Sequence, residues 1–370
     1  MVVAGEPSGD AHAAALVRAL HERDDFDFFG ATGPLMRNAG VETIVNSDEL
    51  AIMGIVEVGR VFRKFLSAFR KLKTAAIEKS PDAVVLVDWP EFNLRLASTL
   101  HRRGLKVIYY ISPQLWAWRP RRVNNIKRDV DLLLSILPFE VEWYKEHEVE
   151  HVEFVGHPLA GEVKARFDRE EFCRRNDLDP GRPIVSFLPG SRIKELQRIL
   201  PPMIEAIEQL QRSRPEVQSI VVVAPSRTVK EVREITSNDI KLIEHQTREA
   251  LYASDAAAIA SGTATLEAAL LETPMVVVYK ESPINWHTLG RLITVSHFGL
   301  VNLVAGKEIA TELMQDELTG QNLATELMKM LDPDANRRMR EQLREVAHGL
   351  GEPGASQRAA ALIVKFLAAD

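Results

Sequence analysis

Apolar residues fall into short blocks separated by amphipathic stretches along most of the chain. Blocks at 1–4, 26–30, 83–88, 106–111, 132–137 and 153–156 predict strands. After a polar interval they resume at 184–189, 219–225, 240–244, 256–260 and 275–280. Several are apolar throughout rather than alternating, which suits strands buried on both faces of a parallel sheet. Between them, apolar positions recur at helical spacing over 10–22, 92–103, 192–214 and 263–271. This strand–helix alternation, repeated in two halves, predicts a doubly wound α/β chain. The charged interval 160–183 ends in the turn signal Asp179-Pro180-Gly181 and marks the boundary. The expected domains are residues 1–164 and 165–345, with a helix at about 346–370 returning to pack on the first. Two Rossmann-like domains facing a cleft are therefore expected, with ligands beyond the carboxyl ends of the strands.

Composition narrows the class. A chain of 370 residues, 46% hydrophobic and 26% charged, is long enough for two cores and is not a disordered polymer. Cys173 alone makes neither an internal disulfide nor a thiolate zinc cluster. No apolar run approaches the ~18 residues a membrane span needs. Glu6 and Asp10 interrupt the start, so no secretory signal is expected and the location is expected to be cytoplasmic. A net charge of −6 speaks against a nucleic-acid partner. These averages also argue against a lipid substrate, but one segment departs from them. Within 58–74, Val58, Val61, Phe62, Phe65, Leu66, Phe69 and Leu72 recur at helical spacing. Arg60, Arg63, Lys64, Arg70, Lys71 and Lys73 fill the other face. That is either an interfacial basic helix or an ordinary helix laid on a sheet with a solvated rim.

The residues that follow the strands carry the candidate chemistry. Gly5-Glu6-Pro7-Ser8-Gly9-Asp10 is a tight turn into a helix that Ser8 or Asp10 would cap. It has neither a dinucleotide fingerprint nor a P-loop lysine. Asp88-Trp89-Pro90-Glu91-Phe92-Asn93 puts a carboxylate at a strand end, where it either accepts a substrate proton or caps the next helix. Trp116-Ala117-Trp118-Arg119 suits a sugar or acyl pocket, or a core anchor beside a solvated basic helix. In Leu188-Pro189-Gly190-Ser191-Arg192, a glycine turn leads Ser191 and Arg192 into a long helix. Backbone N–H groups, the helix dipole and a guanidinium would meet an anion there. Glu195 lies one residue too far from Ser191 for a capping box. Ser261-Gly262-Thr263 repeats that arrangement, with Glu267 one turn on, placed for a ribose diol or simply for solvent. No histidine pair has zinc-protease spacing, and Asp-x-Asp triplets fall before strands or in turns, so no metal and no cofactor are expected.

Taken in order, GEPSGD, MGIVEV from Met53, DWPEFN, SPQLWAWR from Ser112, LPFE from Leu137, GHPL from Gly156, LPGSR, SGTATLE and NLVAG from Asn302 resemble the lipid-A-disaccharide synthase family. Its members are inverting glycosyltransferases of the GT-B fold. Two departures stand out: the first strand is short, and Val301 stands where proline is expected. The resemblance implies transfer of a sugar from UDP-2,3-diacylglucosamine to the 6-hydroxyl of 2,3-diacylglucosamine 1-phosphate (lipid X). The products would be a β(1→6) disaccharide and UDP. It implies Asp88 as the base, with Glu6 as second choice. Gly190, Ser191, Arg192, Ser261, Gly262, Thr263, Glu267 and Asn302 would hold the UDP-sugar. Ser8, Asn93, Trp118, Arg119 and His157 would contact the acceptor or the sugar. Acyl substrates imply peripheral contact with the inner-leaflet phospholipid surface through Val61, Phe62, Phe65, Phe69, Arg63 and Lys64, and a homodimer stays open. The competing expectations are another GT-B UDP-sugar enzyme, such as an N-acetylglucosaminyltransferase or a 2-epimerase, or a non-catalytic UDP-sugar-binding protein.

Overall fold

The computed structural model describes residues 1–48, 58–236, 240–283, 286 and 295–369, the side chains of 58–62 excepted. The run at 53–57 and the side chains of Val61 and Phe62 therefore lie outside the described residues. The chain forms two compact units, Met1–Pro158 with Glu352–Asp370, and Leu159–Gly351.

The first unit is built on seven parallel strands: β1 (Val2–Ala4), β2 (Phe29–Thr32), β3 (Glu42–Asn46), β4 (Val84–Val87), β5 (Val107–Tyr110), β6 (Leu132–Ser135) and β7 (Val152–Phe154). Their order is β3-β2-β1-β4-β5-β6-β7. Alternate residues of the inner strands feed two cores, as the period of two requires. Val3, Leu86, Tyr109 and Leu133 face one core, which includes Leu72 of the Val58–Lys79 helix and Phe92 and Leu96 of the Pro90–His101 helix. Val2, Val85, Ile108 and Leu134 face the other, beneath the Pro7–His21 and Ala355–Ala368 helices. The last helix is tied down by Arg358 Nε donating to the Val155 carbonyl at 2.7 Å.

The second unit has six parallel strands: β8 (Ile184–Leu188), β9 (Gln218–Val223), β10 (Lys241–Glu244), β11 (Ala256–Ala260), β12 (Met275–Tyr279) and β13 (Glu312–Met314), in the order β10-β9-β8-β11-β12-β13. Its core joins these strands to the Ile193–Ser213 and Gly320–Met330 helices. Two strands escape the apolar-block pattern, β3 and β13, and both are sheet edges. An edge strand is solvated along one side, so it needs no continuous apolar run. Both sheets reverse their winding once, between β1 and β4 and between β8 and β11. Ala4 pairs with Val87 and Ile259 with Leu188, so the loops leaving each pair of strands emerge side by side. Loops at such a switch point frame a crevice with no crossover helix above it.

Candidate active site

Four of the glycine- or proline-marked loops open at these two switch points: GEPSGD and DWPEFN at β1/β4, LPGSR and SGTATLE at β8/β11. In the first unit, Asp88 and Trp89 both hold left-handed backbone, at φ +49° and +51°. Such conformations cost about 1–3 kcal/mol each and persist only where the surroundings impose them. Here Asn93 Nδ2 donates to the carbonyls of Val87 (3.2 Å) and Asp88 (2.8 Å), and the Tyr109 hydroxyl donates to the Asp88 carbonyl at 2.7 Å. The Trp89 ring stacks on Phe92 at 4.1 Å. A Cβ at Gly5 would lie 2.1 Å from that indole, so only glycine lets the two loops meet.

The turn leaves the Asp88 carboxylate half-buried and not used as a helix cap, since Trp89 is the N-cap of Pro90–His101 and the helix has no side-chain cap. Burial first, then the neighbouring Glu6, raise the Asp88 pKa above the ordinary carboxylate value; the Trp89 N–H opposes them. A carboxylate held this way is a stronger base than one in water. Glu6 and Ser8 are exposed at the start of the Pro7–His21 helix. Asp10 does not cap its own helix. It is buried and accepts from the N–H groups of Gly33, Leu35 and Met36, closing the start of the Pro34–Asn38 helix.

The two tryptophans after β5 part company. Trp116 is buried and donates from Nε1 to Glu140 at 2.9 Å, the core-anchor alternative. Glu140, which the sequence reading passed over, is buried with its pKa raised to about 7 by desolvation, against hydrogen bonds from Ser135 and Trp116. Trp118 is exposed, with the Arg119 guanidinium 4.1 Å above its ring. Asn93 is fully buried, and its Oδ1 has no hydrogen-bond partner. His157, after β7, is buried, and its pKa falls to about 4 through desolvation and the nearby His12.

In the second unit a cavity of about 720 Å³ opens at the ends of β8, β9 and β11. Gly190, Ser191, Arg192, Ser261, Gly262, Thr263 and Glu267 all line it. Gly190 takes φ +103°, and a Cβ there would sit 2.6 Å from Glu195 Oε2. Arg192, and not Ser191, is the N-cap of Ile193–Ser213, which puts Glu195 at capping-box distance after all. Counted from Arg192, Glu195 is the third helical residue, and its carboxylate accepts from the Arg192 N–H (3.3 Å) and guanidinium (2.8 Å). Glu267 pairs with Arg248 Nε at 3.2 Å. Lys164, Arg166, His245 and Arg248 complete a basic wall that the sequence reading missed. Two of these lie in the charged interval read only as a linker.

Asn302 does not reach this cavity. It is fully buried; its Nδ2 donates to the Ala310 carbonyl and Glu312, and its Oδ1 accepts from the Ile309 and Ala310 N–H groups. Glu312 in turn accepts from the Phe298 and Gly299 N–H groups, so Asn302 braces the loop whose Phe298 carbonyl accepts from Ser261 Oγ at 2.7 Å. The Val58–Lys79 helix brings a second correction. Phe65 and Phe69, expected at a lipid surface, pack edge-on against Phe92 at 4.7 and 5.7 Å. They face inward because Ala68, Leu72, Ala75 and Ala76 share their stripe and are buried. Arg63, Lys64, Arg70 and Lys71 are exposed. Among the described residues no helix is long and apolar enough to cross a membrane.

Known proteins with this sequence and shape are consistent with one another. A family model described as lipid-A-disaccharide synthetase matches residues 1–366. Lipid-A-disaccharide synthases of Trichlorobacter lovleyi and Geobacter sulfurreducens are 42% and 41% identical, each alignment covering 99% of this chain and 97% of the relative. Among solved structures, MurG of Acinetobacter baumannii superposes with a TM-score of 0.59 at 15% identity, over 99% of this chain and 98% of that one. The UDP-GlcNAc 2-epimerase of Neisseria meningitidis bound to UDP-GlcNAc gives 0.61 at 11% identity, over 100% and 99%. The distant structures establish a GT-B fold, and the match along nearly the whole sequence shows that this chain belongs to the lipid-A-disaccharide synthase family of glycosyltransferases.

Proposed function

We propose that the chain joins UDP-2,3-diacylglucosamine to 2,3-diacylglucosamine 1-phosphate through a β(1→6) bond, releasing UDP, with Asp88 as the base. The observation that carries this reading is the Asp88 turn: a raised-pKa carboxylate on strained backbone, at a switch point, held by Asn93, Tyr109 and Trp89. In a single in-line displacement the acceptor 6-oxygen attacks the anomeric carbon as its proton passes to Asp88. The bond to the UDP oxygen breaks from the opposite face, which inverts the α-linked donor to β. Glu6 raises the basicity of Asp88 and is the alternative base.

The diphosphate takes the 720 Å³ cavity, against the first turn of Ile193–Ser213, with Arg192, Lys164 and Arg248 neutralising it. Glu267 exchanges Arg248 for the ribose diol; Gly190, Ser191, Gly262 and Thr263 form the floor, and Ser261 with Asn302 fixes its edge. Protein cations and backbone N–H groups supply the leaving-group stabilisation, so no cofactor enters the scheme. Ser8, Asn93, Trp118, Arg119 and His157 belong to the acceptor or sugar side, with Asn93 acting through the loop it braces. Contact with phospholipid rests on the basic rim of Arg63, Lys64, Arg70 and Lys71, at about 1 kcal/mol per cation near an anionic surface. By this reading the unit Met1–Pro158 with Glu352–Asp370 carries the acceptor site, and Leu159–Gly351, which includes Lys164, the nucleotide site.

Incubating the protein with both acylated sugars and assigning the linkage of the product by NMR tests the proposal. A β(1→6) disaccharide with one UDP per bond supports it, and hydrolysis or epimerisation of the donor alone refutes it. Arg192→Ala is expected to weaken UDP binding about tenfold or more, the range for a charge-assisted contact; unchanged UDP affinity by calorimetry would remove Arg192 from the phosphate site.

A further inference from the structure

One carboxylate in the first unit collects more positive charge than it can balance. Glu91 stands in the first turn of Pro90–His101, three residues beyond Asp88. Its Oε1 accepts from Arg119 Nη1 (2.8 Å) and Arg122 Nη1 (2.7 Å), and its Oε2 from Arg122 Nη2 (3.0 Å). Arg95, one turn along the same helix, adds to the field that holds the Glu91 pKa below the ordinary value. Three guanidinium groups thus face a single negative charge. Arg122 grips both carboxylate oxygens in the forked geometry that also fits two oxygens of a phosphate.

Arg122, 28% exposed and bidentate, has a structural use in holding Glu91, but Arg119 adds little to stability. The Glu91 and Arg119 side chains are 48% and 43% exposed. Exposed pairs contribute only about 0–1 kcal/mol. Meanwhile Arg119 holds φ +62°, a conformation that is unfavourable for a side-chain-bearing residue. That backbone presents Arg119 over the exposed Trp118 ring, an apolar face against which a sugar ring can lie. Beside the cluster is a hollow of about 300 Å³, where Glu91, Arg95, Ser98, Arg122, Asn125 and Arg128 meet the apolar Pro90 and Leu94. A phosphate and its water fit within that volume.

We propose that Arg119 and Arg122, with Arg95 behind them, form a phosphomonoester site for the acceptor sugar, which Glu91 occupies until the phosphate displaces it. The inference rests on the transfer reading above for the identity of the acceptor and adds how its 1-phosphate is recognised. A phosphate at one end of the sugar, held by the arginines, sets the 6-hydroxyl at the other end towards Asp88.

Binding of glucosamine 1-phosphate, followed by ligand-detected NMR with no donor present, tests the site apart from turnover. Arg119→Ala with Arg122→Ala is expected to weaken it at least tenfold, and Arg122→Lys to recover part of the loss. Glu91→Gln, which neutralises the competing carboxylate, is expected to tighten it about threefold or more. A merely structural Glu91 would give the opposite sign. In turnover, the preference in kcat/KM for the phosphorylated acceptor over the same diacyl sugar without phosphate is expected to fall at least tenfold in the double variant, through KM. Unaltered glucosamine 1-phosphate binding in both the double variant and Glu91→Gln overturns the site. So does a double variant that loses only its binding to phosphatidylglycerol vesicles, which would assign the arginines to lipid headgroups. If the wild type makes no disaccharide while binding follows the expected pattern, the transfer reading fails and the phosphate site stands. If disaccharide forms but binding is indifferent to these residues, the site alone falls.

Discussion

Asp88 is placed by residues from three separate parts of the chain. Tyr109 and Asn93 hold its carbonyl, Gly5 makes room for Trp89, and Glu6 acts on its charge. The direction of its pKa fixes a pH dependence. As a base Asp88 must be ionised, so activity falls as pH drops through its pKa, and a raised pKa brings that fall to a higher pH. Replacing Glu6 with Gln removes the neighbouring charge and is expected to move the acid limb of kcat/KM to lower pH while most turnover survives. Loss of nearly all turnover in that variant would instead make Glu6 the base. Much of this residue-level detail was legible in the sequence, because a glycine, proline or carboxylate directly after an apolar block has few reasons to be there. Glu140 was not legible. Nothing in Leu137-Pro138-Phe139-Glu140 separates a buried carboxylate from a solvated first-turn glutamate until Trp116, from the previous strand's loop, and Ser135, at the end of β6, donate to it.

For elements, the Val58–Lys79 helix shows how far a periodic pattern can carry an argument. Over the described side chains Phe65, Phe69 and Leu72 share the packed face and Arg63, Lys64, Arg70 and Lys71 the solvated one, while Leu66, expected with the apolar stripe, is exposed; the same pattern fits a lipid surface and a protein core. Packing decides for the core at Phe65, Phe69 and Leu72. Phe69→Ala is therefore expected to lower stability by about 1–3 kcal/mol, less than a fully buried phenylalanine because the ring is half-buried. Urea unfolding would measure it, and an unchanged midpoint would return Phe69 to the lipid surface. Buried strands such as β4, β5, β8 and β11 were plain from composition, since burial on both faces leaves few polar positions. The edge strands β3 and β13 were hidden for the converse reason.

At the scale of the whole molecule, strand order is what turns scattered motifs into sites. The linear sequence separates GEPSGD from DWPEFN by nearly eighty residues and LPGSR from SGTATLE by about seventy. Only the orders β2-β1-β4 and β9-β8-β11 bring each pair to one crevice. A net charge of −6 likewise says little about a molecule that gathers Lys164, Arg166, Arg192 and Arg248 around one cavity. The basic cluster at Glu91 repeats the point in the other unit.

The central claim is that Asp88 does chemistry and the second-unit cavity holds UDP. The most direct test is Asp88→Asn, a nearly isosteric change, measured for disaccharide formation and for UDP affinity on the same preparation. We expect turnover to fall by about 10²–10⁴, the usual contribution of a general base, with UDP binding within twofold of the wild type. Turnover that survives the substitution within a factor of a few would contradict the account.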